Sequence, residues 1–359
     1  GWTGGDSPLP ESERAMKANM RSLNPGIAAF SDDIRDGIKG SVFEAKESGF
    51  VSGRDGMEET IKFGIVASTE HPQIDYSRVN YSSAPWAAEP TQTITYASAH
   101  DNLTLWDKLA SSNPSDSEED RIKMNLLSSA IVLTSQGTPF FQAGEEFLRS
   151  KPLDESGSLF DENSYKSPDS VNSLKWDRKK TYQEVYEYYK GLIAFRKEHS
   201  ALRMTKTSDI QTNLHFLEDL EKNVVAYTIE NSPNGESAEA ICVIFNANRH
   251  ATTVKIPDGN WNVYVKGKQA GTEIIETISG GNVQVEPISA LVLVKEEKSK
   301  VSATEVNGSD ENTVTATGDG VIQGKNRSNR IFTAFVILAS IILSAVGIFL
   351  SITKYKKKE

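Results

Sequence analysis

A short polar run, His100-Asp101-Asn102, ends an apolar segment that begins at Thr93. A carboxylate beside an imidazole at the end of a buried strand can bind sugar hydroxyls and offset positive charge that develops at an anomeric carbon. The same residues can also cap the helix that follows, because Asp and Asn are favoured helix N-caps. The run by itself leaves a catalytic and a capping interpretation open.

Other groups of acids and histidines are weaker candidates. Glu145 and Glu146 are adjacent carboxylates, but neighbouring side chains of an extended strand point to opposite faces, so we expect framework hydrogen bonds rather than a shared proton. Asp32, Asp33 and Asp36 are the acids best suited to a structural calcium ion, yet the spacing of a calcium loop is absent from the sequence. The histidines lack zinc-ligand spacing. The sequence therefore predicts no metal site and no cofactor.

Composition narrows the function classes. The chain has 359 residues, 38% of them hydrophobic and 25% charged, which is enough for a conventional core. Its formal net charge of -10 disfavours nucleic acid as a partner, because a phosphate backbone requires a basic surface. The sequence lacks a Gly-x-Ser-x-Gly motif, a phosphate loop and a dinucleotide fingerprint, which excludes acyl-transfer, kinase and redox enzymes. The single cysteine, Cys242, lies among apolar residues and is expected to be a buried hydrophobic side chain.

Residues 1–203 alternate between short apolar runs and helical patterns, which predicts a parallel sheet of β/α units. We expect strands at residues 27–30, 93–97 and 138–142. A helix is expected from an N-cap at Ser117 to a stop at Gly137, and a second helix at residues 182–199. These strands and helices would place His100 and Asp101 at the carboxyl end of a strand.

Residues 204–296 have a period of two, as in Ile241-Val243-Phe245. Clusters of turn residues, among them Pro257-Asp258-Gly259 and Gly280-Gly281, interrupt the pattern. This region is predicted to be an antiparallel β-sandwich domain.

Three further segments follow the β domain. Residues 297–329 are polar and poor in bulky apolar side chains, which predicts a disordered linker. Residues 330–353 contain an uncharged apolar run from Ile331 to Ile352, which predicts one transmembrane helix. The alternative, a buried core helix, is disfavoured because the run follows the linker and precedes a lysine-rich tail at 354–359, which is expected to be cytoplasmic. The domains would then lie outside the cell membrane.

Four motifs in the first 200 residues carry a resemblance to a known family. They are His100-Asp101-Asn102, the segment GTPFFQAGEEF at 137–147, the loop NSYKSPDSVN at 163–172 and the segment FSDDIRDGIKG at 30–40. In their order along the chain they resemble type I pullulanases of the alpha-amylase superfamily of glycoside hydrolases. The resemblance implies the C-terminal part of a (β/α)8 barrel followed by the β domain.

The resemblance also implies an activity and the residues that carry it. Members of the family hydrolyse alpha-1,6 linkages in pullulan, glycogen and branched starch by a retaining mechanism. Asp101 matches the transition-state stabiliser, and His100 matches a residue that binds the same sugar. Asn163 and Tyr165 match the glucan cleft, although packing within the loop is an equal alternative for Tyr165. Trp2 matches a platform for sugar stacking, with a core tryptophan as the alternative.

The start of the chain adds an expectation about activity. The sequence opens at Gly1-Trp2 without an initiator methionine or a signal segment, which is typical of a truncated product. By resemblance these two residues follow the acid/base glutamate, and the nucleophilic aspartate lies further upstream. We therefore expect the chain alone to be inactive.

Two alternatives for function stay open in the sequence. A membrane-tethered alpha-glucan-binding or adhesin protein would use the same cleft without turnover. A related hydrolase would cleave alpha-1,4 linkages instead of alpha-1,6 linkages.

Overall fold

The computed structural model describes residues 7–296, which all belong to one compact unit. Trp2 and the predicted linker, membrane segment and basic tail (297–329, 330–353 and 354–359) lie outside the described residues. Between residues 7 and 296, every helix is too short or too polar to cross a membrane.

Helices dominate the first two thirds of this range and strands dominate the last third. The α-helices are α1 (Asp32–Lys39), α2 (Glu58–Ile65), α3 (Leu105–Ser112), α4 (Glu118–Thr134), α5 (Asp169–Asn172), α6 (Asp177–Thr181), α7 (Gln183–Glu198) and α8 (Thr207–Asn213). The strands are β1 (Ala29–Phe30), β2 (Thr93–Tyr96), β3 (Thr138–Phe140), β4 (Leu214–Phe216), β5 (Val224–Glu230), β6 (Ala238–Asn246), β7 (Thr252–Lys266), β8 (Gln269–Ala270), β9 (Glu276–Val285) and β10 (Ser289–Glu296). Short 3-10 turns, including Glu145–Phe147 and Ser164–Lys166, connect them.

The strands β1, β2 and β3 form a parallel sheet in that order. The three predicted strands of this region are thereby confirmed, each shorter than expected. On one face Thr93 is buried, and its hydroxyl donates to the carbonyl of Ala67 at 2.6 Å. On the other face Phe30 and Phe140 contact each other at 5.3 Å between ring centroids, and they are 43% and 37% exposed. One face of the sheet is therefore covered, and the other is open.

Helix α4 links this sheet to the rest of the unit. It begins at the predicted N-cap, because the Ser117 hydroxyl accepts from the backbone N–H of Asp120 at 3.0 Å. It packs against α7, which lies one residue inside each predicted end of the second helix. Most residues of α4 after its first turn are buried, which is typical of a helix with neighbours on several sides.

Side chains from α7 and β5 donate hydrogen bonds to the backbone carbonyls at the C-terminal end of α4. Arg196 of α7 donates to the carbonyls of Leu133 at 3.0 Å and Ser135 at 2.7 Å. The hydroxyl of Tyr227 in β5 donates to the carbonyl of Thr134 at 2.9 Å. Burial lowers the pKa of Arg196 to about 10, so this side chain stays charged at neutral pH. These bonds satisfy carbonyls that a helix end otherwise leaves without partners.

The remaining strands form an antiparallel sheet in the order β4-β5-β6-β10-β7-β8, with β9 paired to β7. The predicted period of two is present, but both faces of its central strands are buried. Alternate residues of β5 contact two different cores: Val225 and Tyr227 pack in the core shared with the helices, and Val224 and Ala226 pack in a second core. The alternation thus separates two apolar cores rather than a core and solvent.

The second core is enclosed by a bend in β7 and β9. The predicted turns at 257–259 and 280–281 are wrong, because both strands continue through these residues. The pairing register instead shifts between Ile256 and Asn260, and a Cβ on Gly280 would lie 2.1 Å from the carbonyl oxygen of Pro257. Glycine therefore permits the close backbone approach at a bulge. Cys242 lies in this second core with no exposed surface, as expected from its neighbours.

The predicted boundary between residues 203 and 204 falls within a continuous core. Leu202 before it and Leu214 and Val225 after it belong to the same cluster of buried side chains. The division into a barrel part and a β domain stays a prediction.

We predict that Gly191→Ala destabilises the chain although alanine favours helices by about 1 kcal/mol. A Cβ at this position of α7 would lie 1.9 Å from the carbonyl oxygen of Ala270 in β8, and a paired backbone cannot easily move away. The net loss should be roughly 1–3 kcal/mol in the free energy of unfolding, measured by urea denaturation of the full chain. Gly271→Ala is the control, because its nearest atom lies 3.9 Å away. Equal stability of Gly191→Ala and the wild type would contradict the packing of α7 on β8.

Candidate active site

The loop after β2 carries the predicted catalytic pair. His100 and Asp101 line a small cleft of about 140 Å³ at the carboxyl end of the parallel sheet. Asn163 and Tyr165 line the same cleft, so the structure brings together four of the five predicted site residues. The fifth, Trp2, lies outside the described residues. The cleft is completed by Gln142, Arg149, Lys151, Glu162, Ser164 and Asn172.

The side chains of His100 and Asp101 contact each other and are open to solvent. Their Nε2 and Oδ1 atoms lie 3.5 Å apart, and the side chains are 88% and 78% exposed. Asn102 follows with a left-handed φ of 63°, a conformation that asparagine adopts more readily than most residues. A ligand can therefore reach both side chains without displacing protein atoms.

The helix that follows has a different N-cap. The hydroxyl of Thr104 accepts from the backbone N–H of Asp107 at 3.1 Å, which identifies Thr104 as the cap of α3. The capping interpretation of His100 and Asp101 is therefore wrong, and the charge of Asp101 is not used to start the helix.

Backbone anchors hold the loop from the side of the cleft. The ammonium of Lys151, a residue that is 2% exposed, donates to the carbonyl of His100 at 2.9 Å. Asp107 in turn fixes this part of the chain, because its Oδ2 accepts from the backbone N–H of Lys151 at 2.8 Å. Burial lowers the pKa of Lys151 and raises the pKa of Asp107. The position of His100 thus depends on two buried charged groups.

The opposite wall of the cleft is a loop tied to α5. The amide of Asn172 donates to the carbonyl of Ser167 at 3.0 Å and to that of Ser164. The backbone N–H of Asn163 donates to Asp161 at 2.9 Å. Tyr165 is 74% exposed, which argues against burial within the loop, and the Lys166 ammonium lies over its ring at 5.1 Å from the centroid.

The acids considered for calcium bind protein cations instead. Asp33 accepts from the Lys17 ammonium at 2.7 Å, and Asp36 accepts from the Arg35 guanidinium at 2.9 Å. Arg35 also donates to the hydroxyl of Tyr96, the last residue of β2, at 3.2 Å. These acids therefore brace the sheet near the cleft.

Glu145 and Glu146 lie on one 3-10 turn rather than on an extended strand, which corrects the geometry expected from the sequence. Their framework role is confirmed. Glu146 accepts from the backbone N–H of Gly144 at 2.9 Å, and Glu145 accepts from the hydroxyls of Ser98 and Tyr189. Burial raises the pKa of Glu145 to about 7.

Sequence reasoning missed Lys151 and the link from Glu145 to Ser98. Both act on the loop of His100 from more than 40 positions away. Glu145 lies inside the matched segment 137–147 and Lys151 lies four residues after it, but the burial of either side chain cannot be read from its residue type.

Comparison with known proteins relates the chain to pullulanases. Residues 210–269 match the family described as "Pullulanase, all-beta domain". The pullulanase of Bacillus subtilis (strain 168) is 34% identical over 252 residues, which cover 70% of this chain and 33% of the relative. The chloroplastic pullulanase 1 of Arabidopsis thaliana is 33% identical over 208 residues, which cover 48% of this chain and 21% of the relative.

The solved structures that this chain resembles are also pullulanases. A pullulanase from Bacillus acidopullulyticus superposes with a TM-score of 0.72 at 39% identity, covering 82% of this chain and 33% of that one. The type I pullulanase of Bacillus subtilis complexed with maltose superposes with a TM-score of 0.71 at 32% identity, covering 81% of this chain and 38% of that one. The chain spans only about a third of the length of these two structures.

We predict that Thr104→Ala lowers the free energy of unfolding by about 0.5–2 kcal/mol, because it removes the N-cap of α3. Asp101→Ala should change it by less than about 0.5 kcal/mol, because the side chain is exposed and, within residues 7–296, pairs with the equally exposed His100. Urea denaturation of the full chain measures both. If Asp101→Ala costs as much as Thr104→Ala, Asp101 has a structural role that the geometry does not account for.

Proposed function

We propose that this chain, a relative of the C-terminal part of pullulanases, belongs to an enzyme that hydrolyses alpha-1,6-glucosidic linkages in pullulan, glycogen and branched starch. The observation that carries the proposal is the exposed His100–Asp101 pair at the end of β2, in one cleft with Asn163 and Tyr165. The related pullulanase of Bacillus subtilis has been solved with maltose, which supports an alpha-glucan as the ligand of this cleft.

Asp101 is assigned the stabilisation of the transition state. The sugar ring gains positive charge as the glycosidic bond breaks, and a nearby carboxylate stabilises that charge more than it stabilises the bound substrate. The imidazole of His100 forms a hydrogen bond with a hydroxyl of the same sugar, either as donor or as acceptor. Asn163 and Tyr165 hold neighbouring glucose units, the tyrosine through the apolar face of its ring.

A retaining mechanism requires two further carboxylates, a nucleophile and an acid/base about 5–5.5 Å apart. We assign both to residues upstream of Gly1, and we assign Trp2 to sugar stacking beside the acid/base. The share of the relatives that this chain covers supports this division, since most of their length has no counterpart here. The chain alone is then expected to be inactive.

The open face of the parallel sheet supports a (β/α)8 barrel. The exposed rings of Phe30 and Phe140 form an apolar surface on three parallel strands, and a barrel of eight strands packs such side chains in its interior. We assign the five other strands of that barrel to the upstream part of the enzyme.

We assign the protein to the cell membrane with its enzymatic part outside. The uncharged run from Ile331 to Ile352 has the length and composition of a membrane-spanning helix, and the lysines of 354–359 suit the cytoplasmic side.

In the full-length enzyme, Asp101→Asn should lower kcat by about a hundred- to a thousandfold while KM changes little, because the charge acts mainly in the transition state. Reducing ends released from pullulan give both constants. Glu155→Gln, an exposed carboxylate that does not line the cleft, is the matched control, and residues 1–325 alone are the negative control.

A normal kcat of Asp101→Asn would refute the role of this residue. A wild-type enzyme that binds pullulan without releasing reducing ends would favour a glucan-binding protein instead.

The membrane assignment predicts that deletion of 331–352 releases the protein into the soluble fraction. The intact protein should stay with membranes during alkaline extraction, because a spanning helix is not removed by charge repulsion. Deletion of 302–323, a linker segment of equal length, should leave it membrane-bound. Release of the intact protein by alkaline extraction would contradict the assignment.

A further inference from the structure

Glu145 is a buried carboxylate that the proposed reaction does not use. Its side chain is 4% exposed, and no Lys, Arg or His of the described residues lies within ion-pair distance of it. Its oxygens accept from neutral hydroxyls: Oε2 from Ser98, and Oε1 from Tyr189 of α7 at 3.1 Å. A buried charge without an ion partner is costly, so stability alone does not account for this residue.

Ser98 connects this carboxylate to the catalytic loop. It has no exposed surface and lies two residues before His100, between the end of β2 and the cleft. Because the side chains of His100 and Asp101 are exposed and, among the described residues, pair with each other, their placement depends on the backbone that carries them. On the cleft side, the Lys151 ammonium donates to the carbonyl of His100 and holds this backbone. On the buried side, the hydroxyl of Ser98 donates to the carboxylate of Glu145.

We infer that Glu145 is a positioning residue, which fixes the end of β2 through Ser98 and so places His100 and Asp101 against the bound glucan. This inference rests on the proposed function. A displacement of a catalytic group by about 1 Å can cost a hundredfold in rate, so an anchor of this kind has a measurable effect on turnover.

The groups around Glu145 determine how firmly it holds Ser98. Lys39 of α1 and Tyr189 of α7 face it, Asn125 of α4 bonds Tyr189 at 3.1 Å, and Glu146 shares its turn. Burial raises the pKa of Glu145 to about 7 and lowers the pKa of Lys39 to about 7. The ionised carboxylate accepts a stronger hydrogen bond than the protonated one. The anchor is therefore weaker below neutral pH and firmer above it.

The test is a double-mutant cycle of Ser98→Ala and Glu145→Gln in the full-length enzyme, with kcat, KM and melting temperature measured for each variant. Ser98→Ala should lower kcat about tenfold or more while KM stays within about twofold. Glu145→Gln should then add less than about twofold to Ser98→Ala, because it acts through the hydroxyl that is already gone. Glu146→Gln is the matched control, because this neighbouring carboxylate accepts its hydrogen bond in the described structure from Gly144 of its own turn.

A pH series keeps the inference testable if Ser98→Ala does not fold. The ratio of wild-type kcat to Glu145→Gln kcat should rise between about pH 6 and 8, because only the wild type ionises at this position. Lys39 is coupled to Glu145, so the same pH series in a Lys39→Met background separates the titration of Lys39 from that of Glu145.

Each outcome decides one question. Independent, multiplicative effects of the two substitutions, or a ratio that does not change with pH, would overturn the positioning role while the proposed function stands. A wild-type enzyme without turnover of pullulan would overturn the proposed function, and this inference with it.

Discussion

The buried C-terminal end of α4 is the constraint on which the rest of the structure depends. The last carbonyls of a helix have no partners within it, and here they lie away from solvent. Arg196 from α7 and Tyr227 from β5 supply the missing donors. The bonds fix two distant parts of the chain to one point. Since β3 begins at Thr138, four residues after the helix ends, the strand that leads to the cleft starts from the same junction.

Local patterns were sufficient to predict the elements of the fold but not its layers. The cap at Ser117, the helix after it and the parallel strands depend on residues close in sequence, and each was predicted. The second core could not be predicted, because an apolar alternation looks the same whether its other face meets water or a second layer. The glycines at 280–281 predict a turn where the strand bends for a similar reason, since glycine serves both a turn and a close backbone approach.

In the candidate site, too, residues within a continuous motif can be predicted from the sequence, and the distant residues that position them cannot. His100, Asp101, Asn163 and Tyr165 were found because each lies in a continuous motif, and the structure brings all four to one cleft. The residues that hold them were not found. Lys151 has its role only because it is buried beside the carbonyl of His100, and neither fact is visible in the order of residues.

The position of Cys242 gives the antiparallel sheet an internal chemical reporter. The thiol is the only one in the chain, lies in the second core with no exposed surface, and has a pKa raised by burial. A thiol-specific reagent can attack it only while β6 separates from its neighbours, because the reactive thiolate does not form in the closed core. The rate of labelling in native conditions therefore measures how often this core opens, without any mutation or added probe.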